Sequence, residues 1–147
     1  EIGVRLVGSE MCIRDSPLTV DQSGIDKLKN QPMWLIHTKA DATVQPENSV
    51  LPLYKSLITS GATNKWFSYF ETATGTDLPG TEYDGHWAWI YFFHDQVIGV
   101  QHPENTKNWD GYSGMVATDP TNGGGSRASV NGQTYNSIFD WMSAQRH

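Results

Sequence analysis

Apolar residues are concentrated in two short runs of the chain, residues 33–37 and residues 65–70. A short, continuous apolar run bounded by turn residues is typical of a strand that is covered on both faces. Between the two runs, apolar residues recur at helical spacing and stop at Gly61, a residue favoured just past a helix C-terminus. These residues are Val50, Leu51, Tyr54, Leu57 and Ile58. Strand, helix and strand over about 40 residues predict a right-handed βαβ unit with parallel strands, which places the chain in the α/β class.

The same kind of pattern predicts three further helices. Residues 21–30 are expected to form a short helix capped by Asp21 or Ser23. The aromatic stretch at residues 87–93 fits a second short helix, and residues 134–145 fit a terminal amphipathic helix. The predicted inward face of the terminal helix consists of Tyr135, Ile138, Phe139 and Met142.

Two segments do not follow these patterns. Residues 1–16 resemble a peptide that arises when adapter DNA in metagenomic assemblies is translated, so we predict a non-native tail followed by a protein domain at residues 17–147. The alternative interpretation of the tail is an edge strand at residues 4–7. Residues 94–133 are rich in Asn, Gly, Thr and Asp, and this composition predicts an excursion over the domain surface.

Composition and charge narrow the range of functions. The formal net charge of −6 argues against nucleic-acid binding, which requires clustered Lys and Arg. No apolar stretch is long enough to predict a membrane span, and the single cysteine, Cys12, excludes an intrachain disulfide. The spacing of the histidines matches no zinc pattern and no Gly-rich phosphate loop follows a strand, so we expect neither a metal nor a cofactor.

Candidate chemistry lies on the loops that follow the two predicted strands. Asp41 follows the first strand, and His86 lies on the loop after the second. Loops at the carboxyl ends of adjacent parallel strands leave the same edge of a sheet, so we expect these two side chains to converge. Asp41 is then predicted to accept the Nδ1 proton of His86, while Nε2 of His86 takes the proton of a nucleophile. Taken singly, a loop aspartate and a Gly-His pair are also common in simple turns.

Two tryptophans flank the candidate histidine. Trp87 and Trp89 are predicted to line a substrate pocket for an acyl or aromatic group. For at least one of them, core packing is the favoured role.

Four segments in order resemble the C-terminal part of the α/β-hydrolase superfamily. They are residues 32–41, 46–49, 85–91 and 138–145, and the first and third contain His37-Thr-Lys-Ala-Asp41 and Gly85-His-Trp-Ala-Trp89. The nearest resemblance is to bacterial predicted peptidases and esterases of the prolyl oligopeptidase type, which are related to polyhydroxybutyrate depolymerases and feruloyl esterases. It implies hydrolysis of small-molecule or polymeric carboxylic esters through an acyl-enzyme, with Asp41 and His86 as two members of a Ser-Asp-His triad.

The chain departs from that superfamily at the nucleophile. The superfamily places its serine in a G-x-S-x-G turn upstream of the aspartate. The sole candidate here is Ser9, which lacks the flanking glycines and lies in the tail at residues 1–16. We therefore expect a partial α/β-hydrolase fold that is inactive alone, with one edge of the strand at residues 33–37 left unpaired. Secretion or a periplasmic location of the full-length parent is a hypothesis that these residues leave open.

A non-catalytic interaction module is the competing class. Six Trp and an Asn/Gly-rich loop also suit a carbohydrate-binding surface, which requires exposed and coplanar aromatic rings. The hydrolase interpretation instead buries Trp34, Trp66 and Phe139, so the burial of these rings is the first observation that bears on the choice.

Overall fold

The structure, a computed structural model, describes the backbone of residues 5–7 and then residues 21–74, 78, 80–93, 128–135 and 138–145. The strands are β1 (Arg5–Val7), β2 (Met33–Thr38), β3 (Lys65–Phe70), β4 (Ala73–Thr74), β5 (Glu82–Tyr83), β6 (Ala128–Val130) and β7 (Gln133–Tyr135). The helices are α1 (Gln22–Leu28), α2 (Val50–Thr59), α3 (Trp89–Phe93) and α4 (Ile138–Ala144). Two 3₁₀ turns, Pro46–Asn48 and Gly85–Trp87, precede α2 and α3.

The central sheet is parallel and has the order β1-β2-β3. Met33 lies opposite Lys65 and Thr38 lies opposite Phe70, so β2 and β3 run side by side with their carboxyl ends together. The predicted strand–helix–strand unit is therefore present, and the fold is α/β. The pairs β4-β5 and β6-β7 form two short antiparallel sheets.

Both faces of the sheet are covered, which explains why its strands are apolar without alternation. On one face, Met33 and Leu35 of β2 pack in a cluster with residues of α1 and α2. On the other face, Trp34 and Ile36 pack in a second cluster with residues of α3 and α4. Adjacent residues of one strand point to opposite faces, so each face receives every second residue.

Local signals set the ends of α1 and α2 as the sequence predicts. The Asp21 carboxylate accepts a hydrogen bond from the Gly24 N–H at 2.8 Å and caps α1. At the end of α2, the Ala62 N–H donates to the Leu57 carbonyl at 3.0 Å across Gly61, which satisfies a terminal carbonyl of the helix.

The C-terminal prediction is wrong in its boundary. The helix α4 begins at Ile138, and Tyr135 belongs to β7. The two-residue turn between β6 and β7 is Asn131-Gly132, both at positive φ, which is the geometry that an Asn-Gly hairpin turn adopts. The strand β6 also lies inside the segment predicted as a surface excursion, and most of the rest of that segment lies outside the described residues.

The later start of α4 changes which aromatic ring is buried. Phe139, predicted to face inward, is 43% exposed, whereas Trp141 is fully buried with Ile138. The other two tests of burial agree with the prediction, because Trp34 and Trp66 are both buried.

Asn64 connects α4 to the sheet through three side-chain hydrogen bonds. Its Oδ1 atom accepts from Nε1 of Trp66 at 3.0 Å and from Nε1 of Trp141 at 2.9 Å. Its Nδ2 atom donates to Gln145 Oε1 at 2.8 Å. Trp141 also packs edge-on against Trp34, with ring centroids 5.5 Å apart. These contacts hold the terminal helix on the face of the sheet opposite α2.

The N-terminal strand corrects a second expectation. The backbone of Arg5–Val7 pairs with Met33–Leu35 in parallel register, as in the alternative interpretation of the tail. The first half of β2 is therefore paired on both edges, contrary to the predicted unpaired edge. The non-native origin of residues 1–16 stays a prediction.

A buried lysine joins two loops at the start of the central strands. Lys65 is only 2% exposed, and its ammonium donates to the backbone carbonyls of Lys29, Gln31 and Thr63. Burial lowers the pKa of Lys65 to about 8, so the ammonium still carries its proton at neutral pH.

Replacing this lysine by an apolar residue is expected to destabilise the fold. Lys65→Met leaves three carbonyls without their donor and lowers the free energy of unfolding by about 2–3 kcal/mol. Denaturant unfolding measures the change, with Lys27→Met at the exposed end of α1 as the control, expected within about 0.5 kcal/mol of wild type. Equal stabilities of the two variants would contradict the structural role of the ammonium.

Candidate active site

The carboxylate of Asp41 is buried and held by its own loop. Asp41 lies just beyond β2 and is 4% exposed. Its Oδ1 atom accepts hydrogen bonds from the backbone N–H groups of Thr43 at 2.9 Å and Val44 at 2.8 Å. Asp41 is thus also the turn former that its loop position suggests. The two bonds to Oδ1 leave Oδ2 facing the rest of the site.

His86 approaches that oxygen from the second loop. The Asp84 carboxylate accepts the His86 N–H at 2.9 Å and so begins the 3₁₀ turn Gly85–Trp87. Nδ1 of His86 lies 3.0 Å from Oδ2 of Asp41. A carboxylate only accepts, so Nδ1 is the donor, and Nε2 is the proton-accepting nitrogen of the neutral ring. The predicted convergence of the two side chains is present, while their catalytic roles stay predictions.

The absence of a side chain at Gly85 allows the two loops to meet. A Cβ atom at this position would lie 2.4 Å from the carbonyl carbon and oxygen of Ala40 and 2.7 Å from the Asp41 nitrogen. The Thr38 hydroxyl donates to the Gly85 carbonyl and joins the end of β2 directly to the histidine loop. Only glycine therefore fits between the two loops.

Tyr91 holds the segment that leads from β3 towards His86. Its hydroxyl accepts from the Thr74 N–H at 2.7 Å and donates to the Thr72 carbonyl at 2.9 Å. The ring is buried against Phe70, with centroids 4.2 Å apart. The hydroxyl thereby satisfies two backbone groups at the start of the histidine loop.

His37 is the site residue that the sequence analysis missed. Its Nε2 atom lies 3.6 Å from Asp41 Oδ2, and its Nδ1 atom lies 2.8 Å from the Thr38 carbonyl oxygen. Burial lowers the pKa of His37 below its ordinary value of 6.5, and the Thr38 carbonyl and the Asp41 carboxylate oppose that shift. The signal in the sequence is the i, i+4 spacing between His37 and Asp41.

The two flanking tryptophans lie at the protein surface. Trp87 is 43% exposed and Trp89 is 40% exposed, so the prediction of core packing for at least one of them is wrong. Trp87 stacks on Tyr83 with ring centroids 5.6 Å apart, and its centroid is 6.0 Å from that of Trp89. The three rings form a continuous aromatic surface next to His86 in the chain, and their contact with a substrate stays a prediction.

Neither a metal-binding cluster nor a membrane-spanning helix is found among the described residues. In the described part of the chain, no three His, Cys, Asp or Glu side chains are grouped so that they could hold a metal ion. The helices described here are also all too short or too polar to cross a bilayer.

Comparison with known proteins adds no relative to these observations. No family model, no curated protein and no solved structure matches the chain. The class that the structure defines is an α/β domain with a buried carboxylate bonded to a partly buried imidazole at the carboxyl edge of its parallel strands.

Adding one methyl group at Gly85 is expected to separate the pair. In Gly85→Ala the new Cβ must displace the backbone of Ala40 or of the histidine loop, since the rigid backbone cannot rotate away. We expect loss of the His86–Asp41 hydrogen bond, seen as loss of the far-downfield NMR signal of the His86 Nδ1 proton. Gly80→Ala is the control for backbone strain: its φ of +79° disfavours a side chain, but nothing lies within 4 Å of the added methyl, so the signal should be retained. Retention of the signal in Gly85→Ala would contradict the close approach.

The buried His37 is expected to make the fold sensitive to acid. Because its pKa is lower in the folded protein than in the unfolded chain, the unfolded chain binds the proton first as the pH falls below 6.5. The stabilisation is therefore complete above this value and decreases as the pH falls towards the lowered pKa. The difference in unfolding free energy between wild type and His37→Asn, measured over a series of pH values, isolates this contribution. A difference that does not vary with pH would count against it.

Proposed function

We propose that Asp41 and His86 are the orienting carboxylate and the general base of a serine hydrolase that cleaves carboxylic esters. The observation that carries the proposal is the 3.0 Å contact between His86 Nδ1 and Asp41 Oδ2 at the carboxyl edge of β2 and β3. Reactive groups of open α/β sheets collect at this edge. The resemblance of four ordered segments to the α/β-hydrolase superfamily supports the same assignment.

The geometry suits the orienting role of the carboxylate. Two backbone N–H groups hold Oδ1 of Asp41, so the carboxylate cannot rotate freely, and Oδ2 accepts the Nδ1 proton of His86. This bond selects the tautomer in which Nε2 is unprotonated and able to accept a proton. The negative charge of Asp41 also stabilises the imidazolium that forms when Nε2 takes that proton.

The proposed reaction has two halves, formation of the acyl-enzyme and its hydrolysis. His86 takes the proton of a serine hydroxyl while the serine oxygen attacks the ester carbonyl, and the same proton passes to the departing alcohol as the acyl-enzyme forms. In the second half, His86 takes a proton from water as the water oxygen attacks the acyl-enzyme, and then gives that proton to the departing serine oxygen as the acid is released. Asp41 stays ionised throughout.

The nucleophilic serine of this reaction is inferred from the resemblance to the α/β-hydrolase superfamily alone. Residues 1–147 contain no G-x-S-x-G segment. The proposal therefore requires a serine from a preceding part of a longer polypeptide, together with the donors of an oxyanion hole. In such a polypeptide, β2, β3 and their flanking helices form the C-terminal part of a hydrolase domain.

The decisive experiment is to recover the reading frame upstream of residue 1 and to express the longer polypeptide. We expect this reading frame to encode a G-x-S-x-G segment upstream of Asp41, and the longer polypeptide to hydrolyse p-nitrophenyl acetate. His86→Ala and Asp41→Asn should each lower kcat/KM by about 10⁴-fold, because the base or its correct tautomer is lost. Asp26→Asn, on the exposed surface of α1, is the matched control and should leave turnover unchanged. Undiminished turnover in His86→Ala would refute the assignment.

The exposed aromatic surface supports a second candidate, a carbohydrate-binding module. Trp87 and Trp89 are both exposed, and Trp87 stacks on Tyr83 with an interplanar angle of 26°. Such rings can stack on the apolar face of a sugar. The experiment above separates the two candidates, since a sugar-binding surface has no need of Asp41 or His86.

A further inference from the structure

His37 is a buried titratable group that the proposed reaction does not use. Its Nε2 atom lies 3.6 Å from Oδ2 of Asp41, the same oxygen that His86 Nδ1 contacts at 3.0 Å. The other carboxylate oxygen is already bonded to backbone N–H groups. Two imidazole rings therefore face one carboxylate oxygen.

A hydrogen bond to the backbone decides the tautomer of His37. Nδ1 lies 2.8 Å from the Thr38 carbonyl oxygen, and a carbonyl only accepts, so Nδ1 carries the proton of the neutral ring. Nε2 of that ring then has a lone pair, which makes no hydrogen bond to a carboxylate oxygen. Only the protonated ring donates from both nitrogens and can bond to Oδ2.

We infer that His37 is a positioning residue for Asp41: the neutral ring leaves Oδ2 to His86, and the protonated ring donates to Oδ2 and competes with His86 for it. The inference rests on the proposed function, in which His86 depends on this oxygen for its orientation. An imidazolium at His37 also places a positive charge beside the ring that must become positive during the reaction. Protonation of His37 therefore acts against the base in two ways.

The groups around His37 determine when that protonation occurs. They are Asp41 on the loop after β2, Glu47 on the first 3₁₀ turn, Tyr69 opposite His37 in β3, and His86. Asp41 and Glu47 favour the protonated ring, while burial and His86 disfavour it, and burial is the largest of these effects on the pKa of His37. At neutral pH the His37 ring is therefore neutral and Oδ2 of Asp41 is left to His86. His37 takes up a proton only in more acidic solution.

NMR of the full chain with isotope-labelled histidine tests this inference. The ring signals of His37 and the Nδ1 proton signal of His86 are followed together between about pH 4 and pH 8. We expect the His86 signal to shift with the same midpoint as the His37 ring, and that midpoint to lie below 6.5. A His86 signal that does not respond at the His37 midpoint would overturn the inference.

Two variants separate positioning from a merely structural role. His37→Asn retains an N–H donor near the position of Nδ1 and has nothing at Nε2, so the acid-induced shift of the His86 signal should disappear. His37→Gln carries an N–H donor near the position of Nε2, so the His86 signal at neutral pH should move towards its acidic wild-type position. An unchanged acid-induced shift in His37→Asn would also overturn the inference.

These measurements are independent of turnover. The ring signals are read without a nucleophile, so a failure of the coupling leaves the ester hydrolase proposal standing. Conversely, absence of ester turnover from the longer polypeptide leaves the coupling between His37, Asp41 and His86 measurable.

Discussion

The buried carboxylate of Asp41 is the group on which the arrangement of the site depends. An ionised carboxylate removed from water is strongly destabilising unless donors replace its hydration. Here three donors do so, and they are divided between the two oxygens: Thr43 and Val44 bond to Oδ1, and His86 bonds to Oδ2. The backbone bonds set the direction of the carboxylate, and that direction sets the ring of His86. The loop after β2 is therefore both a turn and one half of the site.

This carboxylate can reach His86 only because the two loops are in van der Waals contact. The parallel pairing of β2 and β3 brings their carboxyl ends to one edge. The Thr38 hydroxyl and the missing side chain of Gly85 then bring the histidine loop against the backbone of Ala40. The Tyr91 hydroxyl fixes the start of that loop through two hydrogen bonds to the loop backbone. A packed sheet with helices on both faces supplies rigid support for this pair.

Most of the βαβ unit and the position of the pair followed from local signals. The apolar runs gave the bounds of β3 and all but the last residue of β2, because a strand covered on both faces shows no regular alternation of apolar and polar positions. Asp21 and Gly61 marked helix ends through their own hydrogen-bonding geometry. The wrong start of α4 also has a local signal. Asn131-Gly132 is typical of a hairpin turn, and a hairpin here requires α4 to begin later, with Trp141 in the core and Phe139 outside it.

By itself the sequence determined the α/β class, the order of the central elements and the two loops that carry Asp41 and His86, since each depends on residues close together in the chain. The resemblance to α/β-hydrolases also lies in the sequence alone. Only the tertiary structure decided that Trp87 and Trp89 are exposed, that Asn64 ties α4 to the sheet, and that His37 faces the same carboxylate oxygen as His86. Exposure, hydrogen-bond partners and shared acceptors depend on groups that are distant in the chain, and no periodicity of one segment contains them.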